Sequence, residues 1–281
     1  MYRTRRRWRE SEAGLTIRIE YQPSLPVEQV RSIDAECFPD EPLDEQALAD
    51  AMQQDFWVAW DDDAVAGYAY ALRRPDVSWL SRIGTAAAHR RRGVATALME
   101  AVLEHCSRIG LPETVLYVET DNPAAIRLYQ RFGFRAVEST YQFVLSDLQD
   151  RLKEEGPTGI VAVPIGEVPE SALPPFPREW SHIAGMHRPP DTYVLIFRDG
   201  AESIGYCRLN PHFPGCFPFV VDRPSERLMP ALRSLKDYLR PDKSILRLTV
   251  WSPTVAEACR RAGLELTCEL LKMYRKHGNG P

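Results

Sequence analysis

A strand, a basic turn and a long amphipathic helix follow one another between residues 79 and 110. Trp79 to Ala86 has the composition of a strand, and Gly93 to Ile109 has apolar residues at helical spacing before Gly110 ends the helix. Strands that alternate with amphipathic helices build folds in which helices flank a sheet. The pattern therefore predicts a mixed α/β architecture.

The turn between this strand and this helix is rich in arginine. The first turn of a helix leaves backbone N–H groups unpaired and carries the positive end of the helix dipole, so it attracts phosphate. Small residues at its start let a phosphate group approach the backbone. The predicted phosphate-binding residues are Arg90, Arg91, Arg92, Gly93, Val94, Ala95 and Thr96. An isolated match of this kind is equally typical of a basic loop before an ordinary helix.

A second helix begins 32 residues after the first arginine of the turn and carries a tyrosine. Asn122 precedes a proline that suits the first helical turn. Tyr129 is a candidate for proton transfer, although it could also be a packing residue. Leu128 and Phe132 already form an apolar stripe on this helix, so we do not expect the phenol to be needed for burial.

Ten elements are predicted between residues 16 and 145, in the order β-α-α-β-β-β-α-β-α-β. Alternating apolar residues indicate the strands, helical spacing indicates the helices, and proline, glycine and aspartate mark the turns. The predicted ranges are 16–21, 25–38, 44–53, 56–60, 64–72, 79–86, 93–109, 114–119, 123–132 and 134–145.

These motifs, their spacing and the element order resemble the GNAT superfamily of N-acetyltransferases, most closely its ribosomal-protein alanine acetyltransferases over residues 31 to 137. The resemblance implies a mixed, mostly antiparallel sheet flanked by helices, with acetyl-CoA as co-substrate and no metal. It implies that the arginine-rich turn holds the pyrophosphate and that Tyr129 protonates the departing thiolate. It also implies contacts to the pantetheine arm from the backbone beside two diverging central strands. The residues expected to contact this arm are Ile83, Gly84, Thr85 and Asn122.

A further group has to accept a proton from the attacking amine, because an alkylamine is mostly protonated at neutral pH. Alanine acetyltransferases use a glutamate on the strand before the asparagine, a position that Tyr117 takes in this chain. Glu119 lies two residues later on the same strand face and is the candidate base or amine anchor. It could equally be a surface charge or a partner of Arg127.

The second half of the chain shows ordered matches to the first half at a near-constant shift of 130 positions. Cys259 falls on Tyr129, for example, and Gly263 falls on Gly133. Such matches predict a duplicated domain. Residues 222 to 227 stand where the first copy has its arginine-rich turn, with acids and no glycine. We therefore expect the second copy neither to bind nor to use acetyl-CoA.

The predicted organisation is a basic disordered tail (1–15), a catalytic GNAT domain (16–145), a polar linker (146–157) and a degenerate GNAT-like domain (158–281). The formal net charge of −4 argues against a nucleic-acid partner, despite the arginines of the tail. No apolar run reaches the roughly 18 residues that a membrane span needs. The cysteines are expected to be reduced thiols, and His182 and His187 lack a set of metal ligands. These features favour a cytoplasmic protein without metal.

The favoured function is transfer of acetyl to a primary amine of a small, cationic acceptor by direct attack in a ternary complex. By analogy, an aminoglycoside-type antibiotic or a metabolite amine is the first acceptor to try. The alternatives are acetylation of a protein N-terminal alanine or a lysine, and a non-catalytic acyl-CoA sensor. The second half is expected either to complete the acceptor pocket or to form a homodimer interface. The sequence does not choose between these two roles, or between acetyl and longer acyl donors.

Overall fold

The computed structural model of the protein describes residues 6–10, 16–39, 41–153, 159–177, 182–212 and 215–278. The chain divides into two compact units. Unit 1 comprises Met1–Val137 and Lys272–Pro281, and unit 2 comprises Glu138–Leu271.

The first half of the chain has the predicted order of elements. They are β1 (Arg6–Glu10), β2 (Thr16–Tyr21), α1 (Val27–Cys37), α2 (Glu45–Met52), β3 (Asp55–Asp61), β4 (Ala64–Arg73), β5 (Ser78–Thr85), α3 (Val94–Arg108), β6 (Glu113–Glu119), α4 (Pro123–Arg131) and β7 (Arg135–Leu145). From β2 onward each end lies within two residues of its predicted position. The predicted order is confirmed.

The second half repeats most of this order. Its elements are α5 (Leu148–Lys153), β8 (Ile160–Pro164), β9 (Tyr193–Asp199), β10 (Glu202–Asn210), β11 (Gly215–Val221), α6 (Pro224–Arg233), β12 (Leu246–Val250), α7 (Pro253–Arg261) and β13 (Glu265–Lys276). The helix α7 and the start of β13 each lie 130 residues after α4 and the start of β7. The shift read from the sequence is therefore the structural repeat.

The sheet of unit 1 runs β1-β2-β3-β4-β5-β6, with the end of β13 beside β6. Neighbours from β1 to β5 are antiparallel, whereas β5 and β6 are parallel. The helices α1 and α2 cover one face, where Val30 and Leu48 pack with Phe56 and Tyr68. Contacts from α3 cover the other face. Because both faces are buried, β3 and β4 contain continuous apolar runs rather than strict alternation.

The sheet of unit 2 runs from the start of β13 through β7, β12, β11, β10 and β9 to β8. Here β11 and β12 are the parallel pair. Its core includes Phe197, Phe219, Leu232 and Cys259.

The observed units differ from the predicted domain ranges at two strands. From Glu138 onward β7 belongs to unit 2, where Tyr141 to Leu145 pair with β12. The last residues of β13, from Lys272, belong to unit 1. Unit 1 is therefore not the continuous segment 16–145 that the sequence predicted, because strand pairing need not follow chain order.

Two segments expected to lack structure also contain elements. Arg6–Glu10, placed in the predicted tail, pairs with the open edge of β2. Leu148–Lys153, placed in the predicted linker, is helical because Leu148 and Leu152 bury one face. The rest of the predicted tail (1–5, 11–15) and linker residues 154–157 lie outside the described residues.

Candidate active site

The turn between β5 and α3 presents unpaired backbone amides. Gly93, the residue before α3, has φ of 86°, and no side chain in the described ranges caps this helix. By contrast, Asp44 caps α2 and Asn122 caps α4. The first four N–H groups of a helix have no partner within it. The amides from Gly93 to Thr96 are therefore not capped by a side chain, and their predicted role in binding phosphate stays a prediction.

The three arginines of the turn differ in their contacts. Arg90 donates from Nε to the Thr85 carbonyl oxygen (3.2 Å) and from Nη2 to Glu36 Oε1 (3.2 Å). Arg92 pairs with Asp61 at 3.4 Å. Arg91 pairs with no carboxylate among the residues that the structure describes. Of the three, it is therefore the arginine whose charge is least compensated by the described residues.

The strand β5 separates from β6 just before this turn. Ser78 to Leu80 pair with Thr114 to Leu116, and the register ends there. On its other edge, β5 has an extra residue at Ser81, after which Arg82 to Thr85 continue to pair with β4. Such a bulge bends the strand. The backbone of Ile83, Gly84 and Thr85 therefore borders a gap between two parallel strands.

Two glycines allow the strands beside this gap to approach closely. A Cβ atom on Gly67 would lie 2.6 Å from the Gly84 carbonyl oxygen. A Cβ atom on Gly84 would lie 2.9 Å from the Tyr68 ring. Larger residues would displace the strand segment that borders the gap.

Tyr129 is the buried residue of α4, with 6% of its surface exposed. Its ring lies 6.0 Å from that of Phe134, and its hydroxyl has no hydrogen-bond partner among the described residues. Burial raises the pKa of the phenol above its ordinary value. Leu128 and Phe132 were expected to make the phenol unnecessary for burial, but both are only half-buried, and Tyr129 is the buried residue of the helix. Tyr129 therefore combines a packing role with a phenol that keeps its proton.

Asn122 and Glu119 flank the loop between β6 and α4. Asn122 Oδ1 accepts a hydrogen bond from the Ala125 N–H (3.0 Å), so the side-chain oxygen caps α4. Glu119, the exposed last residue of β6, accepts the Asn122 N–H at its backbone oxygen (3.1 Å). Two residues earlier, Tyr117 makes an edge contact with Trp79 at 5.9 Å. The roles predicted for Asn122 and Glu119 in binding and catalysis stay predictions.

The corresponding turn of unit 2 is shorter and closed by ion pairs. Eight residues, 86 to 93, connect β5 to α3, whereas Asp222 and Arg223 alone connect β11 to α6. The buried Arg227 guanidinium in the first turns of α6 contacts carboxylates of Asp222 (2.6 Å), Asp199 (3.0 Å) and Glu202 (3.2 Å). This helix start has neither the loop nor the uncompensated positive charge of its counterpart.

A group of three contacting residues, Asp34, Tyr68 and Arg82, was missed in the sequence. Asp34 is fully buried in α1 and contacts Tyr68 and Arg82. The signal was Asp34 itself, which follows Val30 by four residues and so lies on the buried face of the helix.

The described residues contain no cluster of three or more histidine, cysteine, aspartate or glutamate side chains suited to a metal ion. Within the same ranges, no helix combines the length and apolar character needed to cross a membrane.

Part of the chain is similar in sequence to known acetyltransferases. A model of the acetyltransferase (GNAT) family matches residues 22–134. A mycothiol acetyltransferase of Corynebacterium glutamicum is 29% identical over 99 residues, which make up 33% of this chain and 34% of that protein. The chain thus matches about a third of the length of this curated relative.

Solved structures resemble the chain over nearly its full length. A GCN5-related N-acetyltransferase from Sphaerobacter thermophilus has a TM-score of 0.63 at 20% identity and covers 92% of this chain and 95% of its own. A tandem GNAT protein from the clavulanic acid biosynthesis pathway has a TM-score of 0.60 at 15% identity, covering 94% and 99%. At these identities the likeness concerns the fold. Residues 22–134 of the chain therefore match the acetyltransferase (GNAT) family, and the whole chain is similar in fold to a tandem GNAT protein.

Proposed function

We propose that unit 1 transfers an acetyl group from acetyl-CoA to a primary amine of a small acceptor. The observation that carries the proposal is the uncapped start of α3, which follows the strand segment that borders the gap between β5 and β6 after a connection of eight residues. CoA consists of a diphosphate and an extended arm with amide groups. A helix start beside a free strand edge suits both parts.

The residues that would hold acetyl-CoA follow from this fit. The amides from Gly93 to Thr96 and the Arg91 side chain would bind the diphosphate. The backbone of Ile83 to Thr85, on the side of the gap, would pair with the amide-bearing arm. When bound, acetyl-CoA supplies an acyl carbonyl activated by its thioester bond.

Two residues are assigned to proton transfer. Tyr129 holds its proton on Oη because burial raises the pKa of the phenol, so it can donate that proton to a departing thiolate. Glu119 is the candidate to take a proton from the amine, directly or through water. The products are an amide and a free thiol.

The names of the relatives favour a small-molecule acceptor over a protein N-terminus. The curated relatives, which match about a third of the chain, are named for mycothiol, so the unacetylated form of mycothiol is the first acceptor to test. An aminoglycoside has no support from these names and stays as one arm of the experiment.

The experiment measures release of free CoA thiol from acetyl-CoA with four acceptors. They are unacetylated mycothiol, an aminoglycoside, a polyamine and a peptide that begins with alanine. Turnover with a small amine that Tyr129→Phe lowers supports the proposal. Turnover with the peptide alone would show a protein acetyltransferase, and CoA binding without turnover would show a sensor.

A further inference from the structure

A carboxylate without solvent exposure lies under the segment that connects α1 to α2. Asp34 Oδ2 accepts the backbone N–H of Leu43 (2.6 Å), and Asp34 Oδ1 accepts from Arg82 Nη1 (2.8 Å) and from the Tyr68 hydroxyl. A buried carboxylate is costly unless such partners satisfy it. All of these partners lie on the connecting segment or on the sheet strands β4 and β5. Asp34 therefore links helix, connection and sheet.

Arg82 completes the same link from the strand. Its Nη2 donates to the Glu41 carbonyl oxygen (2.6 Å), while its guanidinium lies 4.4 Å from the centre of the Phe38 ring. The planar fork of arginine can bond in two directions at once, which a lysine cannot reproduce. One side chain of β5 thus fixes both the end of α1 and the segment Glu41 to Leu43.

Arg82 lies on β5 directly before the residues that border the gap. Arg82 immediately precedes Ile83, Gly84 and Thr85, which border the gap assigned above to the acyl-bearing arm. The segment Glu41 to Leu43 lies on the sheet face covered by α1 and α2, whereas the phosphate-binding turn starts α3 on the opposite face. Consecutive residues of β5 would therefore hold the acyl donor and the segment Glu41 to Leu43.

We infer that Arg82 and Asp34 are positioning residues that hold the segment Glu41 to Leu43 as the wall against which the acceptor amine is aligned. This inference rests on the proposed function. Acyl transfer needs the reacting atoms about 3 to 3.5 Å apart, and a misplacement of about 1 Å can lower the rate about 10²-fold. A wall fixed to the donor-binding strand keeps that distance constant.

The chain offers a matched control in the same sheet. Arg73 at the end of β4 donates to Asp55 (2.7 Å), whose carboxyl is also buried. This pair ties β4 to β3 and contacts neither the connecting segment nor residues 83 to 85. Loss of either pair should lower stability, but only loss of the Arg82 pair should disturb the acceptor side.

The experiment compares Arg82→Lys and Arg82→Met with Arg73→Met in the full chain. For the Arg82 variants we expect kcat/KM for the best amine of the thiol-release panel to fall about 10²-fold, with CoA affinity within about twofold of the wild-type value. Amide hydrogen exchange at Leu43 should rise in both Arg82 variants and stay unchanged in Arg73→Met. Arg82→Lys retains the charge near Asp34, so it serves if Arg82→Met fails to fold.

Two results would overturn the inference. One is unchanged exchange at Leu43 in Arg82→Lys, and the other is faster exchange with an unaltered kcat/KM for the amine. The exchange measurement needs no acceptor. If no amine in the panel is acetylated, the proposed function fails on its own, and the exchange at Leu43 still decides whether Arg82 holds the segment.

Discussion

Tyr129 is the residue on which the proposed chemistry depends most. Changing it to Phe removes the proton donor and keeps the ring that packs against Phe134. We expect kcat to fall by about 10² to 10⁴, while CoA binds with unchanged affinity. Steady-state kinetics and a CoA titration of Tyr129→Phe measure the two quantities. Unchanged turnover would show that Tyr129 only packs.

The pH dependence of the wild-type enzyme gives an independent check on Tyr129. Burial raises the pKa of this phenol, so the acid form persists to a higher pH than the ordinary value of about 10. The rate should therefore show no loss attributable to this group between pH 7 and about pH 10. A basic limb in that interval that disappears in Tyr129→Phe would contradict the assignment.

Glu119 carries the prediction for proton removal from the amine. Glu119→Gln keeps the size of this exposed side chain and removes its ability to accept a proton. The variant should lower kcat/KM by about 10² or more, and the acidic limb of its pH profile should move or vanish. If the acidic limb stays in place, another group or a water chain accepts the proton.

The residues of the site differed in how well the sequence revealed them. Gly93 and Tyr129 could be found because short local motifs surround them. The role of Asp34 could not, because its partner Arg82 is 48 residues away and only the folded sheet brings the two together. The separate contacts of Arg90 and Arg92 were equally hidden, since their carboxylate partners come from α1 and β3.

At the scale of elements, the sequence predicted unit 1 well because local signals set the ends of helices and strands. Asp44 and Asn122 cap their helices as their sequence positions indicate, and the left-handed Gly110 and Gly133 follow the ends of α3 and α4. The bulge at Ser81 left no such signal, because it arises from pairing with β4. The widening of the gap is therefore a property of the sheet.

The start of α3 gives a prediction about binding with a control at the other end of the helix. Gly93 and Gly110 have φ of 86° and 74°, so an alanine at either position is strained by about 1–2 kcal/mol. Both variants should lose similar stability by thermal unfolding. Only Gly93→Ala should weaken CoA binding, by about tenfold or 1.4 kcal/mol, since only it crowds the amides of the turn. Equal CoA affinity in the two variants would refute the assigned phosphate site.

At the scale of the whole molecule, the sequence predicted two related halves but not which strands each unit contains. Periodicity identifies β7 as a strand without naming its neighbours. Unit 1 keeps Lys272–Pro281, where the His277 N–H donates to the Pro112 carbonyl oxygen (2.8 Å) and the imidazole bonds Thr114 (2.8 Å). The end of the chain is thus part of the unit that carries the site.

This arrangement predicts that residues 1–145 alone are less stable than the full chain. A chain ended at Leu145 lacks the closing strand and leaves β7 without β12. Its midpoint of thermal unfolding should fall by about 5 °C or more, since each kcal/mol lost shifts Tm by about 2–4 °C at this size. Circular dichroism measures the change. A shortened chain with the midpoint of the full chain would contradict the division into units.

His277 should make the full chain sensitive to acid. Burial and the charge of Arg275 lower the pKa of its imidazole, so the unfolded chain takes up a proton at a higher pH than the folded chain does. Its contribution to stability is complete above the unfolded value of about 6.5 and is lost as the pH falls from there through the lowered folded value. In urea unfolding, the free energy of unfolding of His277→Gln should fall less between pH 7 and pH 5 than that of the wild type. If both proteins lose the same free energy of unfolding, His277 does not cause the sensitivity to acid.

Calorimetric titration of the full chain with CoA tests whether unit 1 binds the diphosphate at the start of α3. Among the described residues, the start of α3 lies beside the strand gap of unit 1 with no side-chain cap, and Arg91 has no carboxylate partner, whereas ion pairs surround the start of α6 in unit 2. We predict one site per chain that Gly93→Ala weakens about tenfold and Gly110→Ala does not. If CoA gives no binding heat, or if Gly93→Ala leaves its affinity unchanged, the start of α3 is not the phosphate site.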